Sequence, residues 1–161
     1  MVKEQTEPQI IILIVNWNNY VDTIACIESL ISNSYKNKKI VIIDNGSEDS
    51  SLYRIGQWAD EREIKHQILS YYHRDDQSFI ADDVLITIIS LNANRGYAGA
   101  NNEGIKYALQ NNADFVLLLN NDTVVKNDLL TKLIRTTHDK MNAGIISCKI
   151  RYFKTADGIW F

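Results

Sequence analysis

Three observations predict an α/β protein, a three-layer sandwich with a mostly parallel central sheet. Apolar runs of strand length alternate with segments whose apolar residues recur at helical period, the pattern of parallel strands joined by crossover helices. Several of those runs end abruptly in clusters of Asn and Asp, as strand-to-helix loops do. With 161 residues, 45% hydrophobic and 23% charged, the chain suits one cored domain and lacks the composition of a disordered or fibrous protein.

The principal order is β-α-β-α-β-α-β-α-β. Gln9 to Val15 reads as a fully buried strand, because its apolar residues follow one another without alternation. After the polar turn Asn16-Trp17-Asn18-Asn19, residues Val21, Ile24, Ile27, Leu30 and Ile31 fall on one helical face. Lys39 to Ile43 is the second strand. It ends in Asp44-Asn45-Gly46, and Ser47 is placed to cap a helix whose inward face is Leu52, Ile55, Trp58 and Ala59. Ile64 to Tyr72 reads as a third strand. The polar stretch from Tyr72 to Asp83 has no clear period and reads as a loop or insertion.

Val84 to Leu91 is the next strand, running into Asn92-Ala93-Asn94-Arg95-Gly96 and a helix that carries Ala98, Ile105, Ala108 and Leu109. Phe115 to Leu119 is a short buried strand that stops at Asn120-Asn121-Asp122. A helix starting near Asn127 then buries Leu129, Leu130, Leu133 and Ile134, and Gly144 to Ile150 closes the series as a last strand. Cys26 and Cys148 lie inside apolar patterns and are expected to pack as small buried hydrophobes. Neither they nor His66, His73 and His138 show zinc-ligand spacing.

The formal net charge is −3 and no Lys/Arg block stands out, which argues against a protein that grips long nucleic acid by its phosphates. An anionic ligand would have to be held locally. The longest apolar run, Ile10 to Val15, is far short of the roughly 20 residues that span a bilayer. No basic segment precedes it as in a signal peptide, so a soluble cytoplasmic domain is expected.

In open α/β sheets ligands gather outside the carboxyl ends of the strands. Asn16 and Trp17, Asp44 and Asn45, Asn94 to Gly96, and Asn120 to Asp122 each directly follow a predicted strand and should share that edge. A carboxylate such as Asp122, set straight after a buried strand, must recover its lost hydration from a cation or from hydrogen-bond donors. A divalent metal would serve; so would the free N–H groups of a helix start. Asn120 and Asn121 add neutral oxygens of the kind Mg²⁺ and Mn²⁺ accept. One carboxylate and a divalent ion about 4 Å apart attract by roughly 8 kcal/mol gross at an effective dielectric of 20, much of it lost to desolvation. A site with one strong anion should therefore hold metal weakly until a diphosphate adds charge.

Asp44 could accept hydrogen bonds from a base or ribose, or serve the Asp-Asn-Gly turn. Trp17 could stack on a base or pack in the core. The run from Asn94 to Asn102 joins small residues, a cation and a helix start, so backbone N–H groups could approach a phosphate. Neither G-x-G-x-x-G nor G-x-x-x-x-G-K-[ST] occurs, which demotes dinucleotide and P-loop readings. Asp75-Asp76 and Asp82-Asp83 are rival carboxylate pairs, but they lie in the polar segment, where solvated loop is the simpler role.

Ile14-Val15-Asn16-Trp17-Asn18, Val41-Ile42-Ile43-Asp44-Asn45-Gly46-Ser47, Asn94-Arg95-Gly96-Tyr97-Ala98-Gly99-Ala100-Asn101-Asn102 and Leu118-Leu119-Asn120-Asn121-Asp122 form a specific series in this order. It resembles the inverting family 2 glycosyltransferases, in particular their rhamnosyltransferase-like branch. Lys149-Ile150-Arg151-Tyr152-Phe153 and Ile159-Trp160-Phe161 look like the same branch. The resemblance implies a GT-A, Rossmann-like sandwich. It also implies transfer of a sugar from a nucleoside diphosphate donor, such as dTDP-rhamnose or a UDP-sugar, to an acceptor hydroxyl with inversion, with Mg²⁺ or Mn²⁺ on the diphosphate.

By the same resemblance Asp44 would bond the donor base, with Asn16, Trp17 and Asn45 in the same pocket. Asp122 would be the metal ligand of an Asp-x-Asp-type element whose first acid is replaced here by Asn120. Asn94, Gly96, Asn102 and Asn121 would shape the donor site, and Arg95 would face the phosphates. The general base of such enzymes, usually Asp or Glu, is expected beyond Phe161; Asp157 has nothing to favour it over a turn role. Residues 1–161 thus read as the donor-binding portion, apparently truncated at the C-terminus, with the acceptor-binding half absent and donor binding without transfer expected. The implied partners are a nucleoside diphosphate sugar and a saccharide or lipid-linked saccharide acceptor, with no nucleic acid. Peripheral association of the longer enzyme with the inner face of a membrane is the matching localisation. A non-catalytic nucleotide-sugar binding module is the alternative. Nucleotidyl transfer would call for a glycine-rich, basic loop near the N-terminus, which Asn16 to Tyr20 does not provide.

Overall fold

The computed structural model describes residues 7–70, 80–139 and 143–153. Its elements are β1 (Ile10–Asn16), α1 (Tyr20–Ile31), β2 (Lys38–Asp44), α2 (Ser51–Glu61), β3 (His66–Ser70), β4 (Ile86–Ser90), α3 (Gly96–Gln110), β5 (Phe115–Asn120) and α4 (Leu129–Asp139). Each matches a predicted element to within a few residues. The strands form one sheet in the order β3-β4-β2-β1-β5, and every pairing is parallel.

Register explains why the polar loops share an edge: Asn16 pairs with Asp44, Asp44 with Ser90, and Val15 with Asn120. The side-chain period of two divides each strand between two apolar layers. Ile10, Ile12 and Ile14 of β1, with Ile40 and Ile42 of β2, face α1, α2 and α4 through Ile27, Leu30, Ile55, Trp58, Leu130 and Ile134. Ile11, Leu13, Val41 and Ile43 face α3 through Ala100, Tyr107 and Ala108. Burial of these aliphatic side chains, about 1.5–3 kcal/mol each, is the main force holding the sandwich together. At Gly104 a Cβ would stand 2.9 Å from Leu13 Cδ1, so α3 lies flush on the sheet there.

From β1 the chain steps towards β3, then β4 leads back across β1 to β5. Right-handed crossovers in opposite directions put their helices on opposite faces, as α1 and α3 are found. The loops after β1 and β4 consequently diverge and open a crevice at the carboxyl edge.

The differences from the expected elements have local causes. In α1, Tyr20 rather than Val21 falls in phase with Thr23, Ile27 and Leu30 at 100° per residue, and Val21 is exposed. In α3 the buried stripe runs through Ala100, Gly104 and Tyr107, leaving Ala98 and Leu109 on the outer side. Ser47 does not cap α2, which begins at Ser51 with Asp49 Oδ1 accepting from the Ser51 N–H at 2.8 Å. β5 is an edge strand, so Leu118 is half exposed.

Gly144 to Ile150 is not a strand: an apolar run needs a ladder partner as well as a pattern, and this one has none among the described residues. Ile145 and Cys148 are therefore exposed, which corrects the expectation of a buried Cys148, whereas Cys26 is buried as expected. Asp75, Asp76, His73, Asp157 and the motif Ile159-Trp160-Phe161 lie outside the described residues. Among the described residues no helix is long and apolar enough to cross a membrane.

Candidate functional site

At the carboxyl edge the β1 and β2 ends are locked together by polar side chains. Asn16 is fully buried; its Nδ2 donates to Asp44 Oδ1 at 2.8 Å and to Ser47 Oγ at 3.2 Å. Ser47 Oγ donates to Asp44 Oδ1 at 2.6 Å, and the Ser47 N–H approaches Asp44 Oδ2 at 3.3 Å. Three neutral donors thus satisfy a carboxylate that would otherwise be costly to bury. Of the alternatives open for Asp44, the turn role is visible: the residue sits beneath the loop surface. Asn18, with φ at 52°, extends the lock by accepting from the Glu48 N–H at 2.8 Å through Oδ1.

A second lock joins β2 to β4. Asn45 Nδ2 donates to Asn94 Oδ1 at 3.0 Å, Asn45 Oδ1 accepts from the Arg95 N–H at 2.8 Å, and Asn94 Oδ1 accepts from the Gly96 N–H at 2.8 Å. Gly46 permits this closeness through its missing Cβ and a φ of 71°. Arg95 turns back along α3, its guanidinium 3.5 Å from Glu103 Oε1 and 3.4 Å from Asn92 Oδ1, rather than lining the crevice. Asn102 is exposed on α3, also outside the crevice lining.

The crevice is an open cleft of about 390 Å³ lined by Val15, Trp17, Asn19, Asn45, Asn94, Gly96, Tyr97 and Asn121. The structure therefore brings together Trp17, Asn45, Asn94, Gly96 and Asn121, with Asn16 and Asp44 below as supports. Trp17 is 55% exposed, which removes the core-packing alternative and leaves an aromatic face for a ligand. Tyr97, 52% exposed, was not singled out from the sequence, although it opens a helix directly after a glycine. Thr23 was also missed, a single hydroxyl on the inward face of α1 with no sequence signal of its own.

The loop after β5 flanks the cleft. Asn121 Nδ2 donates to Thr23 Oγ1 at 3.1 Å, and the Asn120 carbonyl accepts from Thr123 Oγ1 at 2.6 Å. Asn120 and Asp122 are exposed, and Asp122 has no hydrogen bond or ion pair to any described residue. Its helix-start alternative is thereby removed. Cys26 lies beneath, its Sγ 3.7 Å from the Asn120 carbonyl. Burial pushes its thiol up to about 11; the Thr123 hydroxyl opposes that rise and the Asp122 charge adds to it.

No group of three His, Cys, Asp or Glu side chains that could hold a metal occurs among the described residues. A carboxylate without a partner among the described residues, flanked in sequence by Asn120 and Asn121, fits a hard divalent cation whose remaining ligands come from phosphate and water. Asp83 is paired with Lys65, and Lys39 Nζ donates to the backbone carbonyl of Asp82 at 2.7 Å. Asp83 lines a separate cleft of about 430 Å³ with Asp60, Lys65 and His66, at the amino ends of β3 and β4.

A family model described as glycosyl transferase family 2 matches residues 11–161. Among curated proteins the chain is similar to glycosyltransferase GlyG of Streptococcus pneumoniae, 21% identical over 94% of this chain and 42% of the relative. It is also similar to the low-salt glycan biosynthesis hexosyltransferase Agl10 of Haloferax volcanii, 29% identical over 86% of this chain and 36% of the relative. The chain thus spans about two fifths of the length of these relatives. Among solved structures, the mannosyltransferase PcManGT of Pyrobaculum calidifontis, in complex with GDP-Man and Mn²⁺, superposes with a TM-score of 0.67 at 14% identity over 92% of this chain and 37% of that one. TarS of S. aureus in complex with UDP-GlcNAc gives 0.59 at 12% identity, over 91% of this chain and 41% of that one. The likeness to these structures shows the GT-A type of α/β fold.

Proposed function

The chain belongs to glycosyl transferase family 2, and on that footing we propose that its cleft binds a nucleoside diphosphate sugar together with a divalent cation. One observation carries this reading: Asp122, a carboxylate with no partner among the described residues, directly follows Asn121 of a polar cleft that also holds an exposed indole and a helix start. Trp17 offers a stacking face to the base, and the first turn of α3, beyond the Gly96 N–H held by Asn94, offers N–H groups to the anionic part of the ligand. Asp122, with Asn120 and the amide oxygen of Asn121 near it, would hold Mg²⁺ or Mn²⁺. Bound there, the ion neutralises charge on the diphosphate that departs when the sugar is transferred.

The reaction proposed for the whole enzyme is transfer of that sugar to an acceptor hydroxyl with inversion, the acceptor being a saccharide or lipid-linked saccharide met at the inner face of a membrane. The general base is assigned to no residue of this stretch, so residues 1–161 serve here as the donor-binding part. Rhamnose as the sugar rests on the motif resemblance alone. Similarity to a hexosyltransferase of glycan biosynthesis supports a hexose-type donor.

Calorimetry of the chain with UDP, GDP and dTDP, each with and without Mn²⁺, tests the proposal. At least one nucleotide should bind, and more tightly with Mn²⁺. Absence of binding by all three in the presence of Mn²⁺ removes it.

A further inference from the structure

Thr23 is fully buried, and its hydroxyl stands where the loops after β1 and β5 meet. Asn121 Nδ2 donates to Thr23 Oγ1 at 3.1 Å, Thr23 Oγ1 donates to Asn16 Oδ1 at 2.7 Å, and Asn16 Nδ2 donates to Asp44 Oδ1 at 2.8 Å. With the single hydroxyl proton on its shorter contact, to Asn16 Oδ1, every bond runs in the same direction, through an amide, a hydroxyl and a second amide to a buried carboxylate. Aligned chains of this kind polarise one another in a low-dielectric setting. A hydroxyl that served only its own helix would stop at the carbonyl four residues back. Thr23 Oγ1 lies 2.9 Å from the Asn19 carbonyl, yet it is nearer to Asn16 Oδ1 at the end of β1, at 2.7 Å, and it accepts from Asn121 in the loop after β5.

We propose that Thr23 is a positioning residue of the nucleotide site, its hydroxyl coupling the Asn16–Asp44 side of the cleft to the loop that carries Asp122. The inference rests on the cleft being that site. Among the described residues Thr23 is the sole hydrogen-bond partner of the Asn121 side chain, which lines the cleft. Losing the hydroxyl frees Asn121 to rotate and strands Asn16 Oδ1 without its donor. The two sides of the cleft then no longer hold one spacing, and a ligand that must touch both loses affinity.

Thr23→Val keeps the shape and removes the hydroxyl, while Thr23→Ser keeps the hydroxyl. The probe is whichever of UDP, GDP and dTDP the parent chain binds most tightly, titrated with and without Mn²⁺. Thr23→Val should weaken binding with Mn²⁺ about tenfold and shrink the factor by which Mn²⁺ tightens it; Thr23→Ser should stay within about threefold of the parent. A lower melting temperature in Thr23→Val with that Mn²⁺ factor unchanged would mean a structural hydroxyl only and would overturn the proposal.

Side-chain amide NMR of the nucleotide-free protein decides the coupling separately. Asn121→Ala should move the Asn16 side-chain NH₂ resonances across the Thr23 hydroxyl, and their staying in place overturns the coupling. Thr23→Ala replaces Thr23→Val in the titration should the valine form not fold. Failure of the parent to bind any of the nucleotides defeats the reading of the site, and the amide measurement still decides whether Thr23 links the loops.

Discussion

Gly46 lies so close to Ala93 that a Cβ on it would stand 2.7 Å from the Ala93 carbonyl carbon, a separation real Cβ atoms do not show. This contact brings the loop after β2 against the loop after β4 and lets Asn45 reach Asn94. Gly96 has nearly the same φ, 70° against 71°, but a Cβ there would meet nothing within 4 Å. The two glycines therefore separate conformational strain from collision. Gly96→Ala should cost about 1–2 kcal/mol for the left-handed backbone alone. Gly46→Ala should cost clearly more, because backbone atoms rather than a flexible side chain must move. Urea midpoints of the two variants compare them directly; equal losses would mean that the Gly46 contact is not tight in solution.

Asn45 fastens the same two loops by using both ends of its amide, towards Asn94 Oδ1 and towards the Arg95 N–H. Asn45→Ala removes the acceptor used by the Arg95 N–H and one of the two donors to Asn94 Oδ1 at a nearly buried site, for an expected loss of about 1–3 kcal/mol. Asn45→Asp keeps the acceptor for Arg95 but sets a carboxylate against Asn94 Oδ1 and the Gly96 carbonyl, both acceptors. At neutral pH the aspartate should therefore be at least as damaging as the alanine in chemical denaturation. The opposite ranking would show that only the Arg95 contact matters.

What could be read from the sequence divides along physical lines. Ile10 to Val15 and Lys39 to Ile43 were legible as buried strands, because a continuous aliphatic run has few other uses in a polar chain. Placing Asn16, Asp44 and Asn120 on one edge followed from parallel connectivity, since each begins the connection that leaves its strand. Gly144 to Ile150 failed because an apolar pattern does not reveal whether a partner strand is present. The resemblance set Asp44 on the donor base and Arg95 towards the phosphates, while residue type left Asp44 open between ligand and turn. Their outcome depended on Ser47 and Glu103, whose positions are fixed by turn and helix geometry rather than by spacing. Thr23 escaped notice for the same reason: a single hydroxyl on an apolar helix face has no pattern of its own.

Cys26 and Cys148 should differ sharply in chemistry. The Cys26 thiol, lifted by burial from 9.0 to about 11, stays protonated and shielded at pH 8, while Cys148 is exposed. Iodoacetamide should label Cys148 first, and Cys26 only on unfolding. The raised thiol also sets a direction for stability. Between pH 9 and 11 the unfolded chain releases a proton that the folded one retains, so stability falls as pH rises through that window, by up to about 3 kcal/mol. Cys26→Ala should remove that part of the decline. An unchanged alkaline slope in denaturation of the variant would assign the loss to other groups.

Asp122 offers one negative charge where Asn120 contributes only a neutral oxygen, so the metal and the diphosphate should each need the other. Mn²⁺ alone is expected to bind weakly, and nucleotide affinity should rise severalfold when it is present. Asp122→Asn should abolish that gain and leave metal-free nucleotide binding nearly unchanged. Because Asn120 is exposed, Asn120→Asp adds a second carboxylate at little desolvation cost. It should raise the affinity for Mn²⁺ alone by roughly tenfold, or about 1.4 kcal/mol. The nucleotide would then matter less to metal binding, since charge it formerly supplied is already in place. Calorimetric titration of Mn²⁺ into the parent and both variants, with and without nucleotide, reads all of these effects. Tight Mn²⁺ binding that survives Asp122→Asn would move the cation away from this loop.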